Sequence, residues 1–209
     1  SSRRRHTRLL TVTGVQTCAL PISSDVICDT TTLASLPERE RRCGFGEMAK
    51  YHFLTGDDLL ALDLPARIAR CVRIKADIVS QDEREGGLRA VLNYGHTLGH
   101  ALEIATHFSL AHGEGVAIGL KFAALVARAL GRIDDARVAY HDDVIVREYG
   151  LDASVPPGLV SSELIDLMKR DKKSSGGLTF MLDGTHGIEM VRDVPEEIVL
   201  DCLRLMEVR

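Results

Sequence analysis

Apolar positions along this chain recur mostly every three or four residues, and alternation is confined to a stretch near its C-terminal end. That pattern predicts a mainly α protein, a helical bundle with a small β addition. Pro37 opens PERERRCGFGEMAKYHFL, which predicts a helix with proline in its first turn and acids near its start. Asp57 is placed to cap a short turn through Leu62. After Pro65, the run ARIARCVRIKADIVSQ puts Ile68, Cys71, Val72 and Val79 at helical spacing. A third helix is predicted from about Arg89 to Ala105, and a buried fourth from Gly115, closed by Gly131 just past its end. Asp134 to Tyr149 predicts another helix, ended by Gly150. Pro156-Pro157-Gly158 reads as a loop, Ser161 or Ser162 as the cap of ELIDLMKR, and Pro195 to Met206 as the last helix. Strand-like pieces lie at Leu178 to Leu182 and Glu189 to Val191, about the turn Asp183-Gly184. The short apolar run Val26 to Cys28 is consistent with one more strand.

Composition narrows the class. With 209 residues, 45% of them hydrophobic, the chain can bury a core as one domain. Residues 1–24 contain Arg3, Arg4, Arg5 and Arg8 and no acid, and they read as a non-native, adaptor-like, disordered segment. The domain is therefore expected to be 25–209. Setting those four arginines aside leaves 22 basic against 30 acidic residues, which argues against a nucleic-acid surface. Five scattered cysteines without CxxC spacing favour reduced thiols and a cytoplasmic location. The most apolar span, Gly115 to Leu130, is broken by Lys121 and Arg128, so no membrane partner is expected.

The candidate chemistry centres on RAVLNYGHTLGHALE. Asn93, His96 and His100 recur at three and four residues, which on one helix would share a face. His112 follows in SLAHGEG, and Glu47 stands upstream in GFGEMAKYHF. One carboxylate with imidazoles from separate segments is the donor set of a divalent metal site. Thr97 occupies the place where an HExxH metalloprotease keeps its glutamate, so that hydrolase class is excluded. Gly95 and Gly99 would each cost a helix about 1 kcal/mol, a loss explained by close approach of another backbone or a ligand. Taken singly, the other charges have plain readings. Glu47 and Lys50 could be a surface pair, Lys75, Glu85 and Arg89 solvated charges, and Lys172-Lys173 a basic loop.

Their combined order is more specific. GEMAK, IKADIVSQDEREGGLRAVLNYGHTLGHALE, SLAHGEGVAIGL, and RDKK before GGLTFML resemble the sugar-phosphate cyclases, and within them the C-terminal domain of the 3-dehydroquinate synthases. The resemblance runs from about Asp29 to the end and is strongest from Lys75 to Gly119. It implies Glu47, His96 and His112 as ligands of Zn2+ (or Co2+). It implies catalytic roles for Lys50, Arg89, Asn93 and His100, and substrate binding by Lys75 and by one of the pair Lys172 and Lys173. Thr32, Leu33, Ala34 and Ser35 match an NAD-contacting segment, with Ser35 where threonine is more usual. His52 and His107 fall outside the motif and read as surface or helix-end residues.

The same resemblance implies an NAD- and metal-dependent lyase of the shikimate pathway of aromatic amino acid biosynthesis. Such an enzyme converts 3-deoxy-D-arabino-heptulosonate 7-phosphate to 3-dehydroquinate and phosphate and is a homodimer at full length. A nucleotide-binding domain with its GxGxxG turn is absent, so this chain alone is expected to turn over little. The rivals are another cyclase such as a 2-deoxy-scyllo-inosose synthase, a metal-dependent alcohol dehydrogenase, and a non-catalytic helical interaction module.

Overall fold

A computed structural model describes residues 27–83, 87–171 and 177–207. Among them seven α-helices surround one core: α1 (Glu38–Thr55), α2 (Leu64–Gln81), α3 (His96–Ala105), α4 (His112–Ala129), α5 (Asp135–Asp142), α6 (Ser161–Asp171) and α7 (Glu196–Met206). Strands β1 (Leu178–Leu182) and β2 (Glu189–Val194) form one antiparallel pair between α6 and α7. The mainly α bundle with a small β addition is therefore present.

Helix α4 is the axle. Gly113, the run 115–120, Phe122, Ala123, Ala124, Val126 and Ala127 are all buried. So many small residues let neighbouring backbones come close, and α4 packs against α1, α3, α5, α7 and β1. A Cβ on Gly99 would stand 3.2 Å from the Gly115 carbonyl, so the α3–α4 crossing depends on both glycines. The expected close approach at Gly99 is thus another backbone. Helix α6 closes the far side of α3 and leans on α7.

Several local expectations are corrected. Asp58, not Asp57, caps the short 3-10 turn Leu59–Ala61, accepting from the Ala61 N–H at 3.3 Å. Asp57 is instead taken by Arg70, whose Nε donates to it at 2.8 Å. Ile27 and Cys28 form no strand, and Ile27 is exposed, while Val26 lies outside the described residues. An apolar run without a partner strand has nothing to satisfy its backbone. The helix expected over 89–105 breaks: Leu88–Asn93 is a 3-10 segment, and α3 begins only at His96 after Gly95 at φ 80°. Helix α4 starts at His112, three residues before Gly115. The helix after Asp134 turns into a π-helical stretch at Asp143–Glu148 before Gly150. Helix α6 includes both Ser161 and Ser162, and β2 runs three residues past Val191. His52 sits in the last turn of α1, as a helix-end residue should, yet it is buried rather than on the surface.

The four cysteines among the described residues, Cys28, Cys43, Cys71 and Cys202, are free thiols. No helix among those residues is long and apolar enough to cross a membrane.

Candidate metal centre

Three helices deliver three donors to one point. Glu47 lies midway along α1, His96 is the first residue of α3, and His112 is the first residue of α4. Glu47 Oε1 stands 3.1 Å from His96 Nε2 and 3.2 Å from His112 Nε2. All three ligand atoms lie within 4.8 Å of one another, and no other such cluster of His, Cys, Asp or Glu occurs among the described residues. Donors at about 2.1 Å from a tetrahedral cation stand about 3.4 Å apart, so the cluster has the size such an ion needs.

The ring orientations fit as well. His96 Nδ1 is 3.0 Å from the Tyr94 carbonyl and Nε2 is 3.1 Å from Glu47 Oε1, two partners that can only accept. With a cation between Nε2 and Glu47, the carbonyl takes the ring's one proton on Nδ1 and Nε2 presents its lone pair. His112 Nδ1 faces Glu103 Oε1 at 2.5 Å, a carboxylate that fixes the second ring in the same sense. Carbonyl and carboxylate supports behind metal-facing imidazoles are the usual outer partners of a bound ion.

Electrostatics sharpen the arrangement. Lys50, one turn beyond Glu47 and only 3% exposed, donates to Glu47 Oε2 at 2.7 Å. Burial alone would raise the Glu47 carboxyl, but Lys50, then His112 and His96, hold it well below the usual carboxylate range. Burial and the Lys50 charge lower the His96 imidazole, keeping it a neutral ligand. Glu103, followed by Glu47, pushes His112 up to about 9 against its own burial. Metal binding at neutral pH therefore has to displace a proton from His112.

The remaining predicted residues arrange themselves around this centre in different degrees. His100 is one turn after His96, its ring centroid 5.5 Å from that of His96 and 6.1 Å from that of His112. Lys75 projects from α2. Burial first and the Lys50 charge second lower its ammonium, with Glu47 and Arg89 also close enough to act on it. Arg89 lies in the 3-10 segment, where its backbone N–H donates to Asp82 Oδ2 at 2.9 Å and its guanidinium to the Glu83 carbonyl at 3.1 Å. Asn93 ends that segment and so does not share the α3 face with His96 and His100, because Gly95 breaks the helix between them. Thr32, Leu33, Ala34 and Ser35 occupy a largely exposed 3-10 turn, Thr30–Ser35, ahead of α1 and capped by Asp29. Lys172 and Lys173 lie outside the described residues.

Glu103 and Tyr94 touch the clustered histidines, and motif reasoning left both without a role. Glu103 had a signal: it is seven residues after His96 and three after His100, so one helix face carries all three. Tyr94 acts at the metal ligand through a backbone carbonyl, which no side-chain pattern announces. A separate open cleft of about 740 Å³, lined by Phe53, Arg132, Arg137 and Asp183 among others, contains none of the predicted site residues.

Comparison with known proteins covers the segment that holds this cluster. The family described as 3-dehydroquinate synthase C-terminal matches residues 44–174, which hold all three donors. A protein of Amycolatopsis mediterranei provisionally named aminodehydroquinate synthase is 51% identical over 183 residues, covering 88% of this chain and 52% of its own length. The 3-dehydroquinate synthase of a Picosynechococcus species is 38% identical over 197 residues, 85% of this chain and 54% of that protein. The chain spans about half the length of the curated relatives it matches. Among solved structures, 2-deoxy-scyllo-inosose synthase complexed with carbaglucose-6-phosphate, NAD+ and Co2+ aligns with a TM-score of 0.75 at 21% identity, over 85% of this chain and 55% of that one. The 2-epi-5-epi-valiolone synthase of Streptomyces hygroscopicus subsp. jinggangensis, with NAD+ and Zn2+ bound, aligns at 0.71 and 19% identity, over 85% and 54%. At those identities the likeness is one of fold.

Proposed function

The chain belongs to the 3-dehydroquinate synthase C-terminal family, and on that premise we propose that it is the metal- and substrate-binding half of a 3-dehydroquinate synthase. The reaction is the conversion of 3-deoxy-D-arabino-heptulosonate 7-phosphate to 3-dehydroquinate and phosphate, a step of aromatic amino acid biosynthesis. The observation that carries the reading is the meeting of Glu47, His96 and His112 within one cation's reach, with Lys50 beside them.

Zn2+ or Co2+ held by those three donors supplies Lewis acidity toward substrate hydroxyls and keeps positions open for them. NAD is the redox cofactor of the proposal. Of its contacts this chain offers the turn Thr32, Leu33, Ala34 and Ser35, and a nucleotide-binding domain outside the chain offers the rest. The chain's own side chains do the remaining work. Lys50, Lys75 and Arg89 give cations for the carboxylate and phosphate of the substrate through charge-assisted hydrogen bonds. Lys172 and Lys173 add to that set. Asn93 orients hydroxyls. His100, next to both ligand imidazoles, holds or passes a proton at the substrate. The homodimer and the soluble, cytoplasmic setting belong to the same proposal.

A second reading has its own support in the 51% identical relative. Its name points to a product that bears an amino group on the same carbocycle. Cobalt-loaded chain separates the two, because d–d absorption reports what approaches the ion. Bands that shift on adding the heptulosonate phosphate support the first reading, and a response to its amino counterpart alone supports the second. Indifference to both compounds, in protein that binds cobalt, would refute the substrate assignment.

A further inference from the structure

Behind the metal centre lies a buried polar chain that none of the proposed chemistry uses. Tyr94 and His141 are both fully enclosed, and the Tyr94 hydroxyl stands 2.9 Å from His141 Nε2. His141 Nδ1 is 2.8 Å from the Arg137 carbonyl, which can only accept. His141 therefore carries its proton on Nδ1 and offers Nε2 as an acceptor, and the Tyr94 O–H donates to it. Burial lowers the imidazole's affinity for a second proton, which keeps that assignment stable.

The ring of His141 is itself clamped. Phe53 of α1 stacks on it with centroids 4.0 Å apart and planes 12° from parallel. Arg137, whose carbonyl holds Nδ1, is anchored in turn by its Nε donating to Asp183 Oδ2 at 2.7 Å, and Asp183 is 3% exposed. So α5, α1 and the end of β1 together fix the acceptor that receives the Tyr94 hydroxyl.

Tyr94 has a second end. Its carbonyl accepts from His96 Nδ1, and the peptide carrying that carbonyl leads into Gly95 at φ 80°. The Tyr94 N–H donates to the Val91 carbonyl at 3.1 Å and Gly95 packs against Gly119, so the backbone is held on both sides and the anchored ring adds the third hold on the carbonyl's direction. We propose that His141 is a positioning residue: by holding the Tyr94 hydroxyl it aims the Tyr94 carbonyl, and so orients His96 and favours its Nδ1–H tautomer against the Nε2–H form that Glu47 favours. The inference rests on the metal-site reading for its purpose, though the tautomer of His96 can be read without any metal.

The experiment uses the whole chain with 15N-labelled histidine. Long-range 15N–1H spectra report the His96 tautomer in metal-free protein, and cobalt absorption gives the affinity. Wild type should show the Nδ1–H tautomer of His96 populated beside the Nε2–H form that Glu47 favours. His141→Leu removes the acceptor and should shift the His96 population towards Nε2–H and weaken cobalt binding about tenfold, the lower end of what lost outer partners of a ligand cost. His141→Gln, which restores an acceptor, should recover both to within about twofold of wild type. Tyr94→Phe deletes the same hydrogen bond while leaving the carbonyl and His141 in place, and serves if His141→Leu does not fold. A purely structural His141 would lower the melting temperature yet leave the His96 tautomer and cobalt affinity unchanged, and that result overturns the proposal. Wild-type protein that binds no cobalt sinks the metal reading instead, and the tautomer spectra still decide the role of His141.

Discussion

Glu47 is held between a permanent cation and two imidazoles, so its removal has two separate effects. Glu47→Ala takes away the oxygen shared by His96 and His112, and cobalt or zinc affinity should fall more than about 100-fold. It also leaves the Lys50 ammonium enclosed without its partner, which should cost about 3 kcal/mol in urea denaturation of the metal-free chain. A variant that keeps full stability would show that Lys50 finds another partner. His112 sets the pH behaviour. Its folded pKa of about 9 lies above the ordinary 6.5, so the extra stability is complete below pH 6.5 and is lost as pH rises through 9. After allowing for partial exposure, metal-free protein should lose about 1–2 kcal/mol across that window, while metal affinity climbs because the competing proton leaves. Denaturation in chelator at several pH values checks this, and His112→Asn should flatten the profile. The three donors were legible in sequence because ligand chemistry depends on residue type, and HTLGH, AHGEG and GEMAK keep those types in order. Glu103 was legible only as sharing a helix face with His96 and His100; that it meets His112 depends on how α3 rotates against α4.

Whether those helices can cross at all depends on glycines, and here the sequence spoke partly. Gly99 was readable as a close-contact position, and it meets Gly115. Gly119 and Gly113 carried no such signal, yet a Cβ on Gly119 would land inside the Gly95 carbonyl and one on Gly113 inside that of Cys43. Gly119→Ala should therefore displace the turn that feeds His96, costing about 2–3 kcal/mol and weakening metal binding with it. Gly44, in the same helix as Glu47, has nothing within 4 Å of the place a Cβ would take, so Gly44→Ala should leave metal affinity alone and add up to about 1 kcal/mol. Thermal and urea denaturation of the pair, each with a cobalt titration, separates helix propensity from packing. Element boundaries were the least legible feature. Periodicity alone runs Asn93, His96 and His100 onto one helix, because nothing in a 3.6-residue repeat reveals that Gly95 takes a left-handed turn. The π-helical stretch after Asp142 escapes for the same reason: its apolar spacing still reads as α.

At the level of the molecule, the ligand set and the cofactor contacts have unequal support from within the chain. Glu47, His96 and His112 come from α1, α3 and α4, with α1 and α3 each packed on α4, so the proposed metal centre needs donors from this chain alone. A dinucleotide, by contrast, binds in the crevice at the carboxyl ends of a parallel sheet, with its pyrophosphate on a helix start. The described residues hold only a two-stranded antiparallel sheet, and Thr32–Ser35 is an exposed turn before α1. The bundle was legible from apolar periodicity and the meeting of Glu47, His96 and His112 from residue types. The NAD contact proposed at Thr32–Ser35 rests on family resemblance alone, because four residues in a turn carry no dinucleotide signature of their own. The expectation that follows is a dissociation of functions in the 209-residue chain. Cobalt should bind one to one, and the protein should melt higher with it. NAD+ should bind no tighter than about 1 mM, near −4 kcal/mol, by calorimetry. Phosphate release from the heptulosonate phosphate should stay below about 1% of that of a full-length relative, a deficit of nearly 3 kcal/mol in the barrier. Micromolar NAD+ affinity, or turnover comparable with the relative's, would show that the contacts assigned elsewhere are supplied within this chain.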